Sequence, residues 1–149
     1  MGTRGYPPGM LGSCWLLLLL VASSGWAQDF PLDQFRDLRA QALLSVPSWD
    51  AKLGATCRGR SAALAATGAL SHFDDQGRGP GEQLLAQGFP PGLYAEVLGA
   101  GEDPRAVWQG WLASPAHRAV LVDPRWTSWA WGATRSGSTT VWVVRFGAP

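Results

Sequence analysis

Apolar residues recur along this chain with two periods, and the change of period divides it into elements. From Phe30 to Val46, Leu32, Phe35, Leu38, Ala42 and Val46 fall three or four apart. This spacing predicts a first helix, with Pro31 near its start and Pro47 past its end. Ser48-Trp49-Asp50 reads as a turn ending in a plausible N-cap. Ala51 to Thr67 predicts a second helix whose inward face is Leu53, Cys57, Ala62 or Ser61, Leu64 and Ala65, closed by Gly68. Pro80 to Gln87 predicts a short third helix, with Leu84 and Leu85 inward and Gly88 ending it; Pro90-Pro91-Gly92 is a turn. Leu93 to Leu98 predicts a strand or an extended edge.

A helix beginning at Glu102-Asp103-Pro104 carries Val107, Trp108, Trp111 and Leu112 inward. It meets the next helix at a sharp corner, where Ser114 suits an N-cap and Pro115 the first helical position. The period then becomes two. Trp126 to Thr134 and Thr139 to Phe146 predict two strands joined by a hairpin at Arg135-Ser136-Gly137-Ser138. Trp129 and Trp131 share one face, with Ala130 and Gly132 on the other. Val141 and Val143 alternate with Trp142 and Val144. Both faces are apolar, so the sheet needs cover on both sides. The expected architecture is α+β, a three-layer α-β-α sandwich with a small antiparallel sheet between helices.

The first 27 residues have a different character. Arg4 precedes an apolar run from Leu11 to Ala22, too short for a membrane span, and Gly25-Trp26-Ala27 offers small residues at −3 and −1. We read residues 1–27 as a signal peptide cleaved after Ala27, with an uncleaved anchor as the alternative. Residues 28–149 then form one exported domain with no membrane span, secreted or otherwise extracytoplasmic. Removing Arg4 from the chain's 12 Lys+Arg leaves 11 against 11 Asp+Glu, which excludes the basic surface that nucleic-acid binding needs. Of the two cysteines, Cys14 leaves with the leader. Cys57 then has no intramolecular partner and reads as a buried small hydrophobe rather than a nucleophile.

Few residues are equipped for chemistry. The Gly77–Gly81 loop is no phosphate loop, because no strand precedes it and no Lys-Ser/Thr follows. His72 lies just past a helix end, between Leu70 and Phe73. Glu96 is an acid in an apolar run; it needs a partner if buried, or it points to solvent from an edge strand. His117 falls in the first turn of a helix, where the dipole disfavours a cationic imidazole. A neutral imidazole there can bind a metal, accept a hydrogen bond, or simply pack at the corner. Among the tryptophans, Trp49, Trp108, Trp111 and Trp142 are expected in the core. One or two of Trp126, Trp129 and Trp131 are expected along a groove.

Several short pieces in order carry a resemblance: Leu70-Ser71-His72 after an alanine-rich helix, Tyr94-Ala95-Glu96-Val97-Leu98, Trp111-Leu112-Ala113-Ser114-Pro115-Ala116-His117-Arg118, and the closing Phe146-Gly147. From about Asp33 to Gly147 the chain resembles the bacterial branch of the CAP superfamily. These are SCP-like extracellular domains related to cysteine-rich secretory and pathogenesis-related proteins. The resemblance implies an α-β-α sandwich and a cleft lined by His72, Glu96 and His117. The usual Gly-Glu-Asn reads Ala95-Glu96-Val97 here, and the family's second acid has no clear counterpart, Ser114 lying near its place. Two imidazoles and a carboxylate suffice for zinc or another divalent metal with an open position. They serve equally as a hydrogen-bonded cluster in which Glu96 orients one imidazole.

The resemblance, together with the lack of a nucleophile, implies a secreted binding domain without established catalysis whose cleft takes a divalent metal or small ligand. The alternatives are a metal-assisted hydrolase, a lipid- or sterol-binding protein, and a domain that only engages a cell-wall or protein partner. Ser71 adjoins His72, but neighbours in a turn rarely align as nucleophile and base.

Overall fold

The structure, a computed structural model, describes residues 30–89 and 92–149. The expected signal peptide and the Pro90-Pro91 half of the expected turn lie outside them. The elements are α1 (Leu32–Gln41), β1 (Ser48–Trp49), α2 (Ala51–Thr67), α3 (Pro80–Ala86), β2 (Leu93–Gly101), α4 (Pro104–Ala113), α5 (Pro115–Leu121), β3 (Ser128–Ser136) and β4 (Thr139–Ala148). The strands form one sheet in the order β1-β3-β4-β2. β3 and β4 pair antiparallel across a Gly137-Ser138 turn, and β2 pairs antiparallel with the other side of β4. β1 pairs with β3 in parallel, so the sheet is mixed rather than wholly antiparallel.

Alternation sorts the strand side chains onto two cores. Even-numbered β4 residues Trp142, Val144 and Phe146 meet Phe35, Trp108, Trp111 and Leu121 of α1, α4 and α5. Odd-numbered Val141 and Val143, with Ala130 and Leu98, meet Leu53, Cys57 and Leu64 of α2 and Leu84 of α3. Helices therefore cover both faces, in the expected three layers. Phe35 is fully buried, with ring centroids at 4.5 Å to Trp129, 6.0 Å to Phe146 and 6.5 Å to Trp108. Truncating such a ring to alanine costs about 3–5 kcal/mol.

Local signals place most element ends. The Asp50 carboxylate caps α2 by accepting from the Leu53 N–H at 2.8 Å, and Gly68 ends the helix in the left-handed conformation. α1 is shorter than its apolar pattern. It stops at Gln41, and Leu43 turns the chain with φ 59°, leaving Leu43 and Val46 exposed. Seven-residue α3 buries Leu84 and turns Leu85 to solvent, because neighbours on so short a helix cannot share a face. Trp49 is half exposed rather than core. It stands at the sheet margin, edge-on to Trp129 and Trp131. Trp126 and Trp129 do not line a groove: both are buried, with their rings stacked on Phe146. Trp131 is part-buried and stacked on Phe30 at 5.1 Å.

Candidate functional site

Glu96 sits in β2 directly across from Arg145 of β4. Both side chains point to the α2 face, and both are fully withdrawn from solvent. Arg145 Nε donates to Glu96 Oε2 at 2.8 Å, and Arg145 Nη2 donates to Gln83 Oε1 at 2.6 Å. Gln83, buried on α3, then donates its Nε2 to the His72 carbonyl at 2.9 Å and to that of Arg78 at 2.7 Å. His72 completes the circuit, with its Nδ1 2.9 Å from Glu96 Oε1. The ring runs from the His72 imidazole through Glu96, Arg145 and Gln83 back to the His72 backbone. A buried ion pair is tolerated when further hydrogen bonds satisfy its free atoms. Here Arg145 Nη1 alone among the ring's donors is buried without a partner.

The network fixes how His72 is presented. A carboxylate only accepts hydrogen bonds, so the Nδ1 facing it carries a proton, and in the neutral imidazole Nε2 keeps its lone pair. The imidazole is 46 % exposed, and among the described residues Nε2 has no hydrogen-bond partner. Backbone contacts hold the loop on either side: Arg60 Nη2 donates to the carbonyls of Ser71 at 2.6 Å and Phe73 at 2.9 Å. His72 thus stands at the surface, aimed by groups behind it.

His117 opens α5 as its sequence suggested, with its N–H 3.5 Å from Ser114 Oγ. Its half-buried ring lines a different depression of about 460 Å³ along the end of β2, beside Gly99, Gly101, Val107 and Trp111. Gly99 faces α4, opposite Glu96, and its missing side chain admits Val107 and Trp111. His117 forms no hydrogen bond to His72 or Glu96. Among the described residues, no three His, Cys, Asp or Glu side chains gather closely enough to hold a metal ion. Both Glu96 oxygens are also occupied, one of them by a guanidinium whose positive charge opposes a neighbouring cation. The residues do not fit the three-ligand His72/Glu96/His117 zinc centre that the resemblance implied.

Among the described residues no activated nucleophile adjoins the network. Ser71 Oγ accepts from the Phe73 N–H at 3.1 Å instead of meeting His72. Cys57 is fully buried on the α2 face, where burial pushes its thiol up to about 12. Arg145 and Gln83 are the members that sequence reading missed. Arg145 left one trace, a cation within the apolar run of β4.

The cysteine-rich secretory protein (CAP) family model matches residues 32–146. No curated protein matches as a relative. Among solved structures, an outer surface protein from Borrelia burgdorferi superposes with a TM-score of 0.72 at 20% identity, covering 78% of this chain and 87% of that one. An extracellular SCP-domain protein from Bacillus anthracis gives 0.69 at 23% identity, covering 83% of this chain and 40% of its own. Venom allergen-like protein 4 of Schistosoma mansoni gives 0.59 at 10% identity, covering 78% and 84%. The chain thus spans 40% of the Bacillus protein's length, and at these identities the likeness is one of fold. With a family match over most of its length and a sandwich of the same architecture, this chain belongs to the CAP family of cysteine-rich secretory proteins.

Proposed function

We propose that this chain is an extracytoplasmic CAP domain that binds a small ligand at the His72 surface and has no catalytic step of its own. One observation carries the reading: the Glu96–Arg145–Gln83 network leaves the outer edge of His72 fixed and exposed, an acceptor in its neutral form. Such pre-organisation lowers the cost of ordering a side chain on binding. The location is supported by the leader-like residues 1–27 and by structural relatives described as outer-surface or extracellular. Among the described residues no helix is long and apolar enough to cross a membrane.

The same dyad favours a second reading. An imidazole backed by a carboxylate can act as a general base, so hydrolysis by water activated at His72 Nε2 is the alternative. A screen of ester, peptide and phosphodiester substrates against the purified protein and its His72→Ala variant separates the two. The binding reading expects no turnover that His72→Ala abolishes; such turnover would refute it. Zinc calorimetry on the same proteins and on His117→Ala addresses the metal. The occupied Glu96 argues for no stoichiometric micromolar site, and binding of that strength lost in both variants would overturn that reading.

A further inference from the structure

We propose that the groove behind the His72 loop binds a free α-amino acid with an apolar side chain, held as its zwitterion. The groove measures about 510 Å³ and opens between α2, the 69–78 loop and α3. That volume lies within the range of small-molecule sites, roughly 300–1,000 Å³. Its apolar surface comes from Ala63 and Leu64 of α2 and from Phe73, whose ring is 62% exposed. Neither His72 nor His117 lines it, although Gln83 of the network and Ser71 and Phe73 beside His72 do.

The charges select the ligand. Four charged side chains line the groove: Arg60, Asp74, Asp75 and Arg78. Asp74 and Arg78 pair with each other at 2.8 Å. Arg60 spends Nη2 on two backbone carbonyls, and its Nε is buried without a partner. Among the described residues its Nη1 forms no hydrogen bond, and Arg60 lines the groove. Among the described residues Arg60 has no carboxylate partner, and Asp75 has neither an ion pair nor a hydrogen bond from its side chain. One groove therefore holds an unneutralised cation and an unneutralised anion, with no net charge. A simple anion would meet Asp75, and a simple cation would meet Arg60. A molecule carrying both a carboxylate and an ammonium satisfies each, the guanidinium being well matched to a carboxylate. Its side chain then lies against Ala63, Leu64 and Phe73. Arg60 also holds the carbonyls on both sides of His72, so occupancy is felt at the His72 imidazole.

The test is calorimetric titration of the purified protein with L-phenylalanine, L-phenylalaninamide, which lacks the carboxylate, and N-acetyl-L-phenylalanine, which lacks the ammonium. The His72 ring proton signals are followed by NMR in parallel. We expect saturable binding of phenylalanine at roughly millimolar strength, about tenfold weaker for each blocked analogue, with a shift of the His72 signals. Asp75→Asn changes an exposed side chain that bonds to nothing, and Ala63→Trp fills the groove without touching a charge. Both should weaken phenylalanine about tenfold while leaving the circular dichroism spectrum unchanged. Arg60→Gln should abolish binding, but it also frees the His72 loop, so the decision rests on the other two variants. Failure of phenylalanine to saturate, equal binding of all three compounds, or an unaffected Asp75→Asn variant would each overturn the proposal.

Discussion

Replacing Arg145 with methionine tests the network most directly. Methionine fills much the same length but removes the guanidinium paired with Glu96 inside the protein. The gross attraction across the 2.8 Å contact is about 6 kcal/mol at an effective dielectric of 20. Most of that is cancelled by the cost of taking both charges out of water. What the substitution exposes is the other half of the balance, a carboxylate fully withdrawn from solvent with the His72 imidazole left as its partner. Breaking a buried pair from one side costs about 3–5 kcal/mol. The orphaned Gln83 Oε1 adds about 1 kcal/mol. A domain of this size has about 5–15 kcal/mol in total, so the variant should sit near the edge of folding. Urea unfolding followed by tryptophan fluorescence measures the loss. With a slope of about 1.5 kcal/mol per molar, the midpoint should fall by about 3–4 M.

The cycle is completed with Glu96→Gln and the double variant. Each single change strands one buried charge; the double change strands none. The double variant should therefore cost less than the two single losses added together, by at least about 2 kcal/mol. An Arg145→Met loss under about 1 kcal/mol, or additive losses in the cycle, would refute the description of Glu96 and Arg145 as a dry, mutually dependent pair.

Three further outcomes are expected. Gly132→Ala should destabilise by about 3 kcal/mol in the same urea assay, because the added methyl would press on α2 backbone at Arg58 and Cys57, which no rotamer change relieves. Cys57 should resist a disulfide-exchange reagent at pH 8 in the native protein and react at once in urea; since burial raises its pKa from 9.0 to about 12, the stability it contributes is complete below pH 9 and fades as pH climbs toward 12. Asp123 has the opposite sign: hydrogen bonds from Arg125 hold its carboxyl down at about 2, so its contribution is present above about pH 4 and lost as pH falls toward 2. Asp123→Asn should therefore narrow the difference between urea midpoints measured at pH 5 and pH 2.

Elements written in local chemistry could be read directly. Asp50 and Gly68 bracket α2, and Ser114-Pro115 opens α5, because each cap is decided by atoms within a few residues. Elements decided at a distance could not. β1 is two residues long and exists only because Ser48 and Trp49 lie against Ser128 and Trp129, so nothing within Ser48-Trp49-Asp50 distinguishes it from a turn. The end of α1 went the same way: Ala42 and Val46 continue the apolar spacing, but the chain leaves the helix at Leu43.

The site divides along the same line. Glu96, an acid in an apolar run, required a partner wherever it was buried, and the cost of an unpaired carboxylate makes that legible from one dimension. Arg145 poses the mirror-image problem 49 residues later, a guanidinium between Val144 and Phe146. Each charge is the solution to the other, but only the antiparallel register of β2 on β4 sets them opposite. That register also explains why the histidines part company. Alternation turns Glu96 toward α2, where His72 arrives from the loop beyond that helix, and turns Gly99 toward α4, beside which His117 lies. A motif resemblance records the order of residues along the chain. Which face of a strand each neighbour approaches, and whether a carboxylate already carries a guanidinium, are properties of the pairing. Here the pairing sets the Arg145 guanidinium on one Glu96 oxygen and the His72 imidazole on the other.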